Sequence, residues 1–227
     1  MNKFAIVDTE TTNTYIDENG KICLTDSLVY DIAVAIIDKL GRVYDVRNYI
    51  CDEIFHSQMM LDAYFANKIP EYVESINNKE MVVMPIMDIY ADMRKFLKEW
   101  DVKAIMAHNA KFDYRALNNT IRYLSGSKRR FFLPYGLPIW DTQSMAHDTI
   151  CKQKSYIEYC KTNGYMTKHQ VPRPRETAEI LYRYITGNDS FEEVHKGYED
   201  IMIEKEIFVQ CVKQHKSMIK LADLQDC

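Results

Sequence analysis

Positive charge is what this chain is short of: 29 Lys and Arg stand against 33 Asp and Glu, a formal net charge of −4 over 227 residues. That balance excludes a global attraction to nucleic acid or to an anionic membrane. A phosphate-rich ligand must then be held by a local basic patch or by bound metal, with few phosphate contacts and a salt-sensitive affinity. The six cysteines, at 23, 51, 151, 160, 211 and 227, contain no Cys-x-x-Cys pair, and a chain of this size needs no disulfide staples, so they fit a reduced compartment. Cys211 and His215 are four apart, but no second pair joins them, which argues against a zinc site. No apolar run approaches the length of a membrane span, and Lys3, Asp8 and Glu10 interrupt any apolar leader. The expectation is a soluble, cytoplasmic protein with no membrane partner. No repeat, linker or low-complexity tract divides the chain, so one domain over 1–227 is expected.

What is present starts at residue 4. Phe4, Ala5, Ile6 and Val7 read as a strand buried on both faces, with Asp8 and Glu10 at and just beyond its end among Thr9, Thr11 and Thr12. Two residues apart in extended chain, those carboxylates point the same way and lie roughly 7 Å apart, within reach of one or two divalent cations. Asn19-Gly20 marks a turn. Leu28 to Ile37 and Arg42 to Ile50 are β-type runs joined by a short turn, which favours a meander. Asp31, inside the first of these runs, either faces solvent or helps the site.

Ile54–Tyr64 and Ile69–Asn77 read as short helices, and Glu80–Met84 as extended. Pro85 opens an amphipathic helix to Glu99 whose Ile86, Ile89, Tyr90, Met93, Phe96 and Leu97 form a core stripe. Val102–Ala107 is the next strand, ending in His108-Asn109-Ala110-Lys111-Phe112-Asp113 before a helix stopped by Ser125-Gly126-Ser127. Strand end, polar turn and helix start place side chains at the carboxyl edge of a sheet, where α/β folds bind ligands. Lys128, Arg129 and Arg130 form the one tight basic cluster, read either as solvated surface or as phosphate contacts. Leu137–Trp140 is a last short strand, followed by Asp141-Thr142 and a helix from Gln143. Residues 151–175, rich in tyrosine and closing with Arg173 and Arg175, read as an insertion beside the active face. A helix from Arg175 to Ile185 precedes His195, and the last helix, Gly197–Lys213, carries Asp200 in its first turns.

Asp8, Glu10, Asp113 and Asp200 each fall at an element terminus, with His195 just outside the last helix. Four carboxylates and one imidazole so placed fit a two-metal site, and hard oxygen ligands suit Mg²⁺, with Mn²⁺ able to substitute. Such a pair activates water on one side of a phosphodiester and stabilises the leaving oxygen on the other. An imidazole with an ordinary pKa near 6.5 suits the general base.

Asp8-Thr9-Glu10, His108-Asn109-Ala110-Lys111-Phe112-Asp113 and His195-Lys196-Gly197-Tyr198-Glu199-Asp200 resemble, in order and placement, the three exonuclease motifs of the DEDD superfamily in its histidine-containing DEDDh branch. The similarity runs from about residue 3 to 213. It implies a ribonuclease H-like α/β fold, a mixed β-sheet flanked by helices, and 3′-to-5′ removal of nucleoside 5′-monophosphates from single-stranded DNA. By the same resemblance Asp8 bridges two Mg²⁺ ions and Glu10 and Asp200 complete the main ligand set. Asp113 holds the second ion directly or through water, and His195 acts on the attacking water. Thr9, Thr11 and Thr12 are implied at the terminal nucleotide, and Asn109 either there or as a brace for its loop. His108 and Phe112 read as structural, Phe112 as a core aromatic, and Asp141 as a support. The second-strand position usually held by Glu matches Asp31, a shorter acid. Implied partners are single-stranded DNA or RNA 3′ ends and a DNA polymerase or replication protein, as in proofreading. The alternatives are an RNA or oligoribonucleotide exonuclease and a non-catalytic nucleic-acid-binding module.

Overall fold

The eleven residues Leu28–Asp38 are buried from end to end, as an apolar run covered on both faces requires. In the computed structural model, which describes residues 1–12, 15–16, 22–23, 26–193 and 195–224, this run is β4. It lies in a six-stranded mixed sheet with β1 (Lys3–Thr12), β5 (Val43–Cys51), β6 (Val82–Met84), β7 (Val102–Ala107) and β8 (Ile139–Asp141). The order is β6-β5-β4-β1-β7-β8. β4 pairs antiparallel with β1 and β5, the expected meander, while β5 with β6, β1 with β7 and β7 with β8 are parallel. β2 (Tyr15–Ile16) and β3 (Ile22–Cys23) pair separately; the Asn19-Gly20 turn lies outside the described residues.

β1 is longer than its apolar run. β4 supplies partners as far as Leu28, so β1 continues to Thr12 with a register shift between Glu10 and Thr11. Asp8 and Glu10 therefore stand inside the strand, opposite Ala33 and Asp31, and not at its end. On its other side, β1 pairs with β7 only from Lys3 to Ile6, which leaves that flank of the acidic segment open.

Alternation along the strands divides the core in two. Ala5, Val7, Val34 and Ile36 face α3 (Ile69–Asn77), α4 (Ile86–Glu99) and α5 (Ala110–Ser125) through Tyr72, Ile89, Phe96, Leu117 and Ile121. Phe4, Ile6, Ala33, Ala35 and Ile37 face α6 (Thr142–Ala146), α7 (Lys154–Thr162), α8 (Ala178–Thr186) and α9 (Gly197–Lys213). The helix expected over Ile54–Tyr64 is broken into two single turns, α1 (Asp52–Phe55) and α2 (Gln58–Leu61). Ser57 explains the break, since its hydroxyl takes the Ile54 carbonyl (2.7 Å) that a continuing helix would use. The described cysteines Cys51, Cys151, Cys160 and Cys211 are buried free thiols. Among the described residues no helix is long and apolar enough to cross a membrane.

The turn from β4 to β5 is held by one carboxylate. Asp38 accepts hydrogen bonds from the Leu40 amide (2.8 Å), the Arg42 amide (3.2 Å) and the Tyr44 hydroxyl (2.8 Å). Burial alone would raise its pKa, but the Tyr44, Leu40 and Arg42 hydrogen bonds outweigh it and hold the carboxyl below its usual value. A depressed carboxyl stabilises the fold above its unfolded pKa, and that contribution is lost as pH falls through the folded pKa. Asp38→Asn is expected to cost about 1–3 kcal/mol at neutral pH. In denaturant titrations the gap from wild type should narrow as the pH is taken below about 4; a gap independent of pH would contradict this account of the turn.

Candidate active site

The acids of β1 share the face that Phe4 and Ile6 turn toward α9, because Asp8 and Glu10 continue the same alternation. Asp113 arrives from the neighbouring strand. After Ala107 the chain turns through Asn109 in the left-handed region (φ 64°, ψ 51°), a conformation Asn tolerates better than most residues. The Asn109 amide donates to Asp141 Oδ1 (3.0 Å), which also accepts from the Gln143 amide at the start of α6 (2.9 Å). The His108 ring is clamped between Thr142 Oγ1 (3.1 Å) and the Glu176 carbonyl (2.7 Å). His108 and Asp141 are thus structural, and the turn they fix sets the start of α5. Asp113, buried in its first turn, accepts a hydrogen bond from Thr9 Oγ1 (2.8 Å).

The third contribution comes from α9 and the residues before it. Gly197 donates its amide to Asp31 Oδ2 (3.2 Å), which also accepts from the Tyr72 hydroxyl (3.0 Å). A Cβ on Gly197 would stand 2.8 Å from the Ala33 Cβ, so only glycine lets α9 start this close to the sheet. Asp31 is therefore a buried anchor for the helix rather than a solvent-facing acid. Two residues earlier, His195 has φ 53°. Its ring stacks on Phe65 at 4.8 Å and 23°, and its carbonyl accepts from Lys68 Nζ (3.4 Å). Asp200 and Glu204, one turn apart, are buried on the inner face of α9.

These carboxyl groups perturb one another. Burial first, then the Asp113, Glu204, Asp200 and Glu10 carboxylates, push Asp8 well above the usual carboxylate range. Burial, then Asp31 and Asp200, do the same to Glu10, with Lys68 opposing. Burial takes Asp113 up to about 7 against the pull of the Thr9 hydrogen bond. Burial, then Glu193 and Glu199, take Asp200 to about 8. Glu204 is raised by burial and then by Asp113. The His195 imidazole moves the other way, lowered by burial and by Lys68, which keeps it neutral at pH 7.

Three of the crowded oxygens, Asp8 Oδ2, Asp200 Oδ1 and Glu204 Oε2, are buried with no hydrogen-bond partner. An acceptor without a donor in a cluster of like charge is what a bound cation satisfies. Glu10, His195 and Asp200 present ligand atoms all within 4.8 Å of one another. A donor set dominated by carboxylate oxygen fits a hard cation such as Mg²⁺ or Mn²⁺.

Of the residues singled out in the sequence, Asp8, Glu10, Asp113, His195 and Asp200 come together, with Thr9 bonded to Asp113. Thr11 is partly buried and Asn109 is exposed near them. The Thr12 side chain is not available to a ligand: it is fully buried and donates to the Leu28 carbonyl (3.3 Å), because β1 continues past the acids. Phe112 is only partly buried and joins neither core cluster, since it precedes the inward-facing Asp113 on the first turn of α5. Lys128, Arg129 and Arg130 are not brought to the acids. They follow Gly126 at the far end of α5, roughly 20 Å along the helix from Asp113. Glu204, Phe65 and Lys68 were missed. The i, i+4 spacing of Asp200 and Glu204 was the available signal for the first; nothing local marks the other two.

No protein-family model matches the chain, and no curated protein does. Among solved structures it is similar to the zinc-bound form of E. coli exonuclease I in complex with single-stranded DNA, with a TM-score of 0.59, 14% identity, and 95% of this chain and 41% of that one covered. A second structure of exonuclease I gives 0.57 at 17% identity over 94% and 41%. E. coli exonuclease I with a dT13 oligonucleotide gives 0.54 at 14% over 90% and 40%. The fold is the ribonuclease H-like mixed sheet flanked by helices. The chain spans about two fifths of the length of these exonuclease I chains.

Raised carboxyl pKa values mean that the folded chain binds more protons than the unfolded one between about pH 4 and pH 8. The contribution of these groups to stability is fully present below the unfolded pKa and is lost as pH rises through the folded values. For the metal-free protein, Asp200→Asn and Asp113→Asn are each expected to raise the midpoint of thermal unfolding at pH 8, and to lose the further rise expected of wild type on adding Mn²⁺. A drop in the midpoint in both variants would contradict mutual repulsion as the governing effect.

Proposed function

We propose that the chain is a metal-dependent nuclease that removes nucleoside 5′-monophosphates from the 3′ end of single-stranded nucleic acid, DNA in the first instance. One observation carries this reading: Asp8, Glu10, Asp113 and Asp200, from three separate parts of the chain, crowd together beside an imidazole whose pKa is lowered. Support for DNA comes from the exonuclease I structures of the same fold, which contain single-stranded DNA.

In this reading the four acids, with the partnerless Glu204 Oε2 beside them, would hold two Mg²⁺ or Mn²⁺ ions. Bound divalent cations supply positive charge to the phosphodiester oxygens and lower the pKa of water at the site. The residues do the rest. Thr9 fixes the rotamer of Asp113 through its 2.8 Å hydrogen bond. Gly197 and Asp31 set the start of α9 and hence the approach of Asp200. His195, neutral at pH 7, takes the proton of the attacking water. The Phe65 stack restrains its ring, and burial, then the nearby Lys68 charge, keep it unprotonated before the reaction. The terminal nucleotide is received beside Thr11 and Asn109.

A single strand labelled at its 5′ end should shorten stepwise from the 3′ end with Mg²⁺ or Mn²⁺ and stay intact with chelator. Asp8→Ala should be inactive. His195→Ala should lose about 10²-fold in rate, the size expected for a general base, while still binding Mn²⁺. Internal cuts, shortening from the 5′ end, or equal activity in chelator would overturn the reading. Full activity of His195→Ala would remove that residue from the role. A matched RNA strand in the same assay reports on the 2′-hydroxyl.

A further inference from the structure

Between α7 and α8 the chain folds into a short hairpin that the nuclease reading leaves unused. Met166 and Pro174 pair antiparallel. The Thr167 amide donates to the Arg173 carbonyl (2.8 Å), the Arg175 amide to the Tyr165 carbonyl (2.9 Å), and the Arg173 amide to Thr167 Oγ1 (3.0 Å). Its feet are fastened to the core: the hydroxyl of buried Tyr156 donates to the Arg175 carbonyl (2.6 Å), and Arg183 donates to the Tyr165 hydroxyl (2.7 Å). Pro172 and Pro174 remove two backbone donors and stiffen the returning strand.

The chain just after the hairpin is tied to the elements that carry the acids. Glu176, the residue after it, accepts from the His108 ring (2.7 Å) and from Gln143 Nε2 (3.4 Å). It is thereby bound to the turn that delivers Asp113. Three residues further, Glu179 lies within electrostatic reach of His195. The arm is thus linked through Glu176 to the turn before Asp113 and through Glu179 to His195.

Its charge is of one sign. From residue 161 to 175 there is no Asp or Glu, in a chain whose net charge is −4. Lys168, His169, Arg173 and Arg175 are all exposed. Among the described residues no ion pair engages Lys168, Arg173 or Arg175, whereas Glu176, the nearest acid in sequence, is taken by His147 (2.6 Å). His169, Arg173 and Arg175 line a cleft of ≈ 370 Å³ against Gln143, His147 and the one acid there, Glu176. His169 and Arg173 also line a second, of ≈ 460 Å³, at the tip. Guanidinium groups present a fork of donors that matches phosphate oxygens. No Phe, Tyr or Trp lines either cleft, so the guanidinium and ammonium groups dominate what a ligand meets there.

We propose that the hairpin Tyr165–Arg175 is a backbone-gripping arm that holds the phosphates of a single-stranded nucleic acid on the 5′ side of the nucleotide in the acidic cleft, without regard to sequence. The proposal rests on the nuclease reading for the identity of the ligand. It moves the phosphate contacts from Lys128, Arg129 and Arg130 to Lys168, Arg173 and Arg175.

The test is fluorescence anisotropy of a labelled single strand of about 20 nucleotides, titrated with the full chain in chelator over a range of salt concentrations. Replacing Lys168, Arg173 and Arg175 together by Ala should weaken binding about 10-fold or more at low salt. It should also flatten the slope of log K against log salt by about 2, three contacts at roughly 0.7 each. Arg173→Lys with Arg175→Lys should keep the wild-type slope, which separates loss of charge from loss of fold. A wild-type slope in the triple Ala variant, or a loss confined to Lys128→Ala, Arg129→Ala and Arg130→Ala, would overturn the proposal. Hydrolysis of the nitrophenyl ester of thymidine 5′-monophosphate, too short to reach the arm, should be unchanged in the triple variant. If wild type hydrolyses neither the ester nor the strand, the nuclease reading fails, while the salt slope alone still decides the arm.

Discussion

Repulsion among buried and half-buried carboxyl groups is the constraint that the rest of the molecule accommodates. Asp8, Glu10, Asp113, Asp200 and Glu204 come from β1, α5 and α9, and each is held at a raised pKa by burial and by its neighbours. Burying like charges together opposes folding unless the groups take up protons or meet a cation. Something must therefore hold them in place against their own field. The two apolar layers on either side of the sheet do this, aided by the Thr9 hydroxyl on Asp113 and by the Gly197 amide on Asp31.

The sheet also decides which groups meet. β4, buried along its whole length, pairs with β1 past the acids, while β7 stops pairing with β1 at Ile6. One flank of Asp8 and Glu10 is thus closed by backbone and the other left open to the turn that ends β7. α9 supplies the third side, and its close seat depends on the missing side chain of Gly197 against Ala33. Asp31, one carbon shorter than Glu, works here because the helix start comes near enough for a 3.2 Å hydrogen bond.

Much of this was legible where a local period carried it. The apolar stripe of α4, the strand Val102–Ala107 and the helix Gly197–Lys213 follow from spacing, and the glycines after α5 and α8 sit in the left-handed cap positions their place implied. What escaped depends on partners distant in sequence. The end of β1 is set by β4, so Asp8 and Glu10, which the apolar run alone places at a strand terminus, lie inside the strand. Ser57 turned a plausible helix into two single turns through one side-chain hydrogen bond. The hairpin at 165–175 is built from hydrogen bonds between a threonine and an arginine six residues apart, which leave no periodic trace. Lys128, Arg129 and Arg130 drew attention as a tight run, yet α5 carries them away from the acids. Arg173 and Arg175 close a tyrosine-rich stretch in the sequence, and only the hairpin brings them beside Gln143 and His147.

The central claim is that these carboxyl groups share their space with divalent cations. Calorimetric titration of the metal-free protein with Mn²⁺ at pH 7, repeated in buffers of different ionisation enthalpy, tests it most directly. Groups with pKa values of about 7 and about 8 are partly protonated there, so the account predicts saturable binding of two ions per chain with release of protons. Asp200→Asn should reduce both. Heats that show no saturation, or binding with no proton release and no dependence on Asp200, would contradict it.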